Sequence, residues 1–485
     1  MTKNSLASAL ALSASLVAIP ASAVSLNPKG LGQVLIYPYY TVNRNQDTLI
    51  SVANSNDIGK VVSVEFLEGI NGRQVLAFRL FLSPHDVWTA SIAQTGDEGG
   101  AQLLTSDRSC TYYLTNPAPL SSAWYDGTGP VPADSGPQGI TRTREGYVTV
   151  ISVGDIVADS PTDQRTRHVQ DGTPGGGTPP GCTEITNTNV RDDLIAPSTG
   201  LFGTAAIVNV GEGTYFAYNP DAIAGFTDIP LDSAAAVFGP TLQDANSREA
   251  ANGGARAYLS NNEGRPLAID YAFGVDTVSA VFMSDALYNE YLVDSSLGAN
   301  TDWVVTFPTK PYYTDDIYTV SPPFLPPFEA EFSNGAAPVS VAGTIYDREE
   351  GSTEFPCGAC TPPTLPYNVN VISFLNVPAP AGGPSGVLGS TLSVLNISPY
   401  GTSGALTLDL VNGDPDQHAL PGGIDAAGNE LTLRGLPATG FMVYNIINTQ
   451  AQPGMLANYG GAFHHRATSS CTGPEADCGS TNSGR

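Results

Sequence analysis

The sequence predicts a mainly β protein, built from antiparallel Ig-like or related β-sandwich domains with one or two short helices and long Pro/Gly-rich loops. Three observations point there. Residues 47–92 hold the clearest period-two alternation: in KVVSVEF, Val62, Val64 and Phe66 alternate with Ser63 and Glu65, and in FRLFL, Phe78, Leu80 and Leu82 alternate with Arg79 and Phe81. One face of these strands is expected to be dry and the other wet. Similar runs recur after residue 325, including VSVAGTIYD, NVNVISFLNV, GALTLDLVNG and GFMVYNIIN. The connections are rich in Gly, Pro, Ser and Thr, as in TPGGGTPPG at 173–181, which favours turns over helices.

Taken in order, residues 1–23 read as a secretory signal peptide. Lys3 precedes an apolar run from Leu6 to Ile19, Pro20 breaks it, and Ala21 and Ala23 suit a cleavage site. Residues 33–42 form a first strand that Pro38 demotes to an edge or bulged position. After the 47–92 cluster come loops at 116–146 and 159–182 with a strand, GYVTVISVG, between them. TAAIVNV and TYFAYN read as a hairpin around Gly211-Glu212-Gly213, and 232–253 as a weak helix broken at Gly239-Pro240. ARAYLSNN and PLAIDYAF return to strand character. Near-helical spacing of apolar residues at 278, 281, 282, 286, 288 and 292 predicts an amphipathic helix over 277–292, and TDWVVTFPTK a strand.

The prolines of 311–327 disfavour helix and central strand alike, so this stretch reads as a linker. The organisation expected is a leader at 1–23, an N-terminal β-rich domain at 24–324, a C-terminal sandwich at 325–466 and a flexible tail at 467–485. LISVANSN and KVVSVEFLEG echo LSVLNISP and GALTLDLVNG, which duplication and chance resemblance of strand pairs explain equally well.

With 46 acidic and 20 basic residues the chain carries a net charge of −26, so its field repels nucleic acid and anionic membrane surfaces. The six cysteines, Cys110, Cys182, Cys357, Cys360, Cys471 and Cys478, read as disulfides in an exported chain, with nearest-neighbour pairing expected. Familiar catalytic signatures are missing: GPSG and GTSG lack the spacing of a nucleophile elbow, and no phosphate-cradling loop is present. No catalytic residue, cofactor-binding residue or metal ligand is assigned. Of the five histidines, His464 and His465 are adjacent and on a strand would point to opposite faces. Asp414 and Asp416, or Asp315 and Asp316, bring oxygens together and leave structural calcium as the one cofactor candidate. Aromatic doublets near prolines, Tyr37, Tyr39 and Tyr40, Tyr112 and Tyr113, and Tyr312 and Tyr313, suit a ligand-stacking surface, and equally a core rim.

LIYPYYTV, DTLISVANS, LSPHDVWTASI, TDWVVTFPTK, IYDREE and LANYGGAF together resemble a group of exported proteins of Gram-negative bacteria labelled only as hypothetical or surface proteins. The resemblance spans most of the chain. It implies a Gram-negative origin and a surface or extracellular address, and brings no activity with it. The expectation is an exported protein of the cell surface, medium or periplasm, without a transmembrane segment after the leader. It would act non-catalytically as a structural or adhesin-like binding sandwich, on a surface glycan, a protein partner or itself. The alternative is a secreted carbohydrate-active hydrolase or carbohydrate-binding module, whose carboxylates no spacing identifies.

Overall fold

The structure is a computed structural model. It describes residues 23–478 apart from 171, 173–176, 187–189, 232–238, 247–253, 261–263, 265, 319–324, 356–361, 376–383, 399, 412–417, 449–451, 453–454, 456 and 475–477. All twelve residues of the strand Glu145–Ile156 are buried. Burial at every position requires a neighbour on each edge and a layer on each face. The edges are filled by Val34–Thr41 and Lys60–Glu68, in a sheet extended by Asp221–Ala224 and Ser25–Leu26 on one side and Gln74–Leu82 and Thr111–Tyr112 on the other. One face packs on a sheet of six described strands, ordered Thr214–Tyr218, Leu201–Asn209, Asp47–Asn54, Val87–Gln94, Ala101–Leu104 and Ala118–Pro119. Leu35, Val64, Phe66 and Val150 from the first sheet meet Ile50, Trp88, Ile92 and Ile207 from the second. This is the predicted sandwich, and the 201–209 and 214–218 strands pair as the predicted hairpin.

The opposite face of the first sheet is not wet. Ser63 and Glu65 are both buried, because a further layer lies over them: a Cβ at Gly239 would stand 2.9 Å from Glu65 Oε1 and 3.0 Å from Ser63 Oγ. On the same face Val34, Ile36 and Ile151 join a second core with Phe226, Leu242, Tyr312 and Tyr313. Alternation of polarity predicted the strands but could not reveal a cover that comes from distant sequence. Pro38 is accommodated by a bulge, since the register against Glu145–Ile156 shifts there, and pairing with Asp221–Ala224 stops at Ile36. The strand is otherwise interior, not an edge.

A second sandwich centres on Ala299–Thr306, held between Val369–Phe374 and Thr439–Ile446, with Ser393–Ile397 and Tyr459–His464 outside them. Facing it is a sheet of Ser352–Phe355, Ala342–Asp347, Ser403–Asp409, Ala286–Leu292 and Arg466–Thr468. Trp303, Phe374, Ile345 and Leu406 fill the space between, and the Tyr291 and Phe374 rings stack at 5.0 Å. A third sheet runs Ala255–Ser260, Pro266–Tyr271, Ala419–Asp425, Glu430–Arg434 and Ser470–Thr472, and the helix Gly274–Phe282 packs near it. With Pro161–Thr166 and Pro311–Thr314 this makes three short α-helices among the described residues.

Four expectations are corrected. A cut at 324/325 would divide all three of these sheets, because 266–271, 286–292 and 299–306 pair with strands beyond residue 400. The halves also share a core, Val304, Val371, Phe441 and Val443 packing with the first sandwich and Tyr218 stacking on Phe441 at 4.6 Å. The supposed linker begins as a buried turn of helix, Pro311–Thr314, in which proline occupies the first helical position; its residues 319–324 lie outside the described ones. The helix expected over 277–292 ends at Phe282. Beyond Met283–Ser284, Leu287, Asn289 and Tyr291 are buried while Tyr288 and Glu290 are exposed, a period of two rather than 3.6. Residues 466–468 and 470–472 are paired strands, not a free tail. The echo between the halves does not extend to pairing: Asp47–Asn54 is a central antiparallel strand, and Ser393–Ile397 is a parallel edge strand. The weak helix at 232–253 falls largely outside the described residues.

Candidate functional site

A groove of about 680 Å³ crosses the outer face of the six-stranded sheet, a volume within the range of ordinary ligand sites. Its floor follows from strand alternation: Ile50, Val52, Trp88 and Ile92 point into the core, leaving Leu49, Ser51, Thr89 and Ser91 outward. Register lines these side chains up across the sheet. Thr204, Ser51 and Thr89 stand opposite one another in one row, and Ala206, Leu49, Ser91 and Leu104 in the next. Tyr215, 60% exposed, stands at one end, diagonal to Ala206. The other end is walled by Thr105, Ser106 and Asn116.

The wall is braced locally. Thr105 Oγ1 donates to the Thr89 carbonyl at 2.6 Å, and the Asn116 carboxamide both donates to the Thr105 carbonyl and accepts from its N–H. On the floor the Ser51 and Thr204 hydroxyls lie 3.1 Å apart. Among the described residues, no carboxylate, imidazole, ammonium or thiol lines the groove. Asp107 at the rim is taken up by the Ser109 hydroxyl and N–H and by the Thr89 N–H.

The tyrosines singled out in the sequence divide. Tyr37, Tyr39, Tyr40, Tyr312 and Tyr313 are core residues, at most 4% exposed. Their hydroxyls are spent internally, Tyr39 on Glu145 at 2.8 Å and Tyr313 on Asp276 at 2.7 Å, so they present no face to a surface ligand. Burial raises all five pKa values well above the usual phenol range. Tyr112 and Tyr113 do reach the surface, with ring centroids 4.0 Å apart and Tyr113 at a positive φ of 69°. They belong to the connection that also carries Asn116.

Cysteine pairing is as expected where the chain is described: Cys110 bonds Cys182 and Cys471 bonds Cys478. Cys357 and Cys360 lie outside the described residues. Asp315 serves as an arginine partner, its two oxygens accepting from Arg73 Nε at 2.7 Å and Nη2 at 2.9 Å. Asp316 is solvent-exposed, and Asp414 and Asp416 fall outside the described residues. Beside Arg73, Arg142 bridges Glu68 and Asp134, all three side chains being buried. His464 and His465 do diverge: His464 bonds the Asn219 carbonyl at 2.8 Å, while His465 packs on Trp303 and bonds the Val304 carbonyl at 2.9 Å. Lys310 is fully buried between carbonyl oxygens and the Phe307 and Phe328 rings, and that desolvation drives its pKa well down.

No family model, curated protein or solved structure matches this chain.

Sequence reasoning missed Ser51, Thr89, Thr204, Asn116 and Tyr215. A signal existed for two of them: Ser51 in DTLISVAN and Thr89 in VWTASI sit at the wet positions of alternating strands. That these hydroxyls align, with no charge among them, depends on register between strands some 150 residues apart.

Proposed function

We propose that this chain is an exported, non-catalytic binding protein that offers the uncharged groove of its six-stranded sheet to a ligand at the cell surface. The lining carries this reading. In a chain of net charge −26, a groove whose described lining is hydroxyls, one carboxamide, and apolar side chains that include Leu49, Leu104 and the Tyr215 ring selects a neutral ligand with polar and apolar faces and, among the described residues, lacks the paired carboxyls that glycoside hydrolysis uses. Export is supported by the leader-like residues 1–23 and by disulfides, which persist in oxidising compartments. No described helix is long and apolar enough to cross a membrane.

The test is retention of the purified protein on washed Gram-negative envelope fragments, at 0.15 M and 1 M salt, beside Thr89→Trp. The indole would fill the groove from an exposed strand position, and near-UV circular dichroism would check that the fold is kept. Retention insensitive to salt and reduced at least tenfold by the substitution is expected. Equal retention of a folded Thr89→Trp protein would overturn the reading.

A further inference from the structure

We propose that the occupant of the groove is an extended, uncharged polysaccharide chain lying across the strands; this rests on the groove being the binding site. The first reason is hydrogen-bond chemistry. In the row, Ser51 on the central strand has Thr204 and Thr89 paired on either side, and where Val87–Gln94 runs past the end of its outer neighbour the Thr89 N–H and carbonyl are taken by Asp107 and the Thr105 hydroxyl. Nothing on the floor can extend a ladder to a peptide, as strand addition at a sheet edge requires. A ligand therefore meets side chains, and the row of Thr204, Ser51 and Thr89 is all hydroxyl. A hydroxyl both donates and accepts, as do the hydroxyls of a sugar.

The second reason is shape. The groove spans five strands, from Tyr215 on Thr214–Tyr218 to Leu104 on Ala101–Leu104. Four inter-strand spacings make it roughly 19 Å long, which suits several linked sugar units. Hydroxyls line three of these strands, at Thr204, Ser51 and Thr89, and the parallel row of Ala206, Leu49, Ser91 and Leu104 sets a mostly apolar side beside them. The third reason is the ends. Tyr215 offers an exposed ring against which the apolar face of a sugar can stack, and Asn116 closes the far end with a carboxamide already oriented by Thr105. Charge argues against the common alternatives: among the described residues no cation lines the groove to pair with uronate, sulfate or phosphate, and the net charge of −26 repels them.

The experiment uses affinity electrophoresis of the full mature chain in gels containing dextran, laminarin, mannan, galactomannan or alginate. Calorimetry with oligosaccharides of rising length from any polymer that retards it follows. Retardation by at least one neutral polymer and not by alginate is expected. Affinity should rise with chain length and level off once the groove is filled, and Tyr215→Ala should weaken binding about tenfold. Retardation by alginate alone, or affinity independent of length, overturns the proposal. If no neutral polymer binds while Thr89→Trp still abolishes envelope retention, the glycan is refuted and the groove stands. If Thr89→Trp has no effect on envelope retention either, both readings fall.

Discussion

Glu65 gives the sharpest test of the buried second face. Burial pushes its pKa up to about 8, Arg79 opposing the rise and Asp244 adding to it. In the unfolded chain the same carboxyl titrates near its ordinary value of 4.5. Between those values the folded protein holds a proton that the unfolded chain releases, so stability is greatest below pH 4.5 and falls as pH rises, levelling off above about 8. At 1.36 kcal/mol per decade of proton affinity, the loss is about 5 kcal/mol as a ceiling. Glu65→Gln keeps the shape and removes the titration. The assay is urea unfolding of both proteins at pH 5, 7 and 9. At pH 5 the midpoints should nearly coincide; at pH 9 the variant should be the more resistant, by roughly 1.5 M if m is about 3 kcal/mol/M. Parallel pH profiles for the two proteins would refute the claim that a protonated carboxyl sits beneath the Gly239 segment.

Other outcomes follow from the same structure. The Cys110–Cys182 bridge closes a 72-residue separation, so the double Cys→Ser variant should lose about 4 kcal/mol, less any native strain, measured by denaturant midpoint with and without reductant. Arg142→Met leaves Glu68 and Asp134 buried with the charge that bridged them removed, and should cost roughly 3–5 kcal/mol in thermal or chemical unfolding. His465 has its pKa lowered to about 3, chiefly by burial. Its contribution is complete above pH 6.5 and is lost as pH falls towards 3, so His465→Gln should flatten the acid limb of a stability profile. A fragment of residues 24–324 should fail to give a native near-UV spectrum and should be cut rapidly by protease, because Ala299–Thr306 would lose both its neighbours.

Local chemistry was legible in the sequence, and distant pairing was not. Period-two alternation located the strands at 60–68 and 74–82, and the Gly-Glu-Gly turn located the 201–218 hairpin. Ser63 and Glu65 misled, because a polar residue at every second position means solvent only if nothing covers that face. Here the cover comes from described residues far along the chain, Phe226, Gly239, Leu242, Tyr312 and Tyr313 among them. The 277–292 reading failed within one element, since a helix and a strand meeting at Met283 can scatter apolar residues much as a single helix does. The prolines of 311–327 announced an irregular segment correctly, but composition does not say whether such a segment is exposed or is packed as Tyr312 and Tyr313 are. The groove was the least legible feature, because its hydroxyls become a site only when strands from 47–54, 87–94 and 201–209 are set side by side in register.

The third sheet has a mechanical consequence. Val24 bridges Ala257 on one edge strand of that sheet, its N–H donating to the Arg256 carbonyl, and Ser470–Thr472 forms the opposite edge. Tension drawn between these two points runs across the strands, along the hydrogen bonds, so the bonds break in succession instead of sharing the load. Pulling would therefore load this sheet bond by bond, and with it the adjoining Ser25–Leu26 and Arg466–Thr468 strands of the two sandwiches.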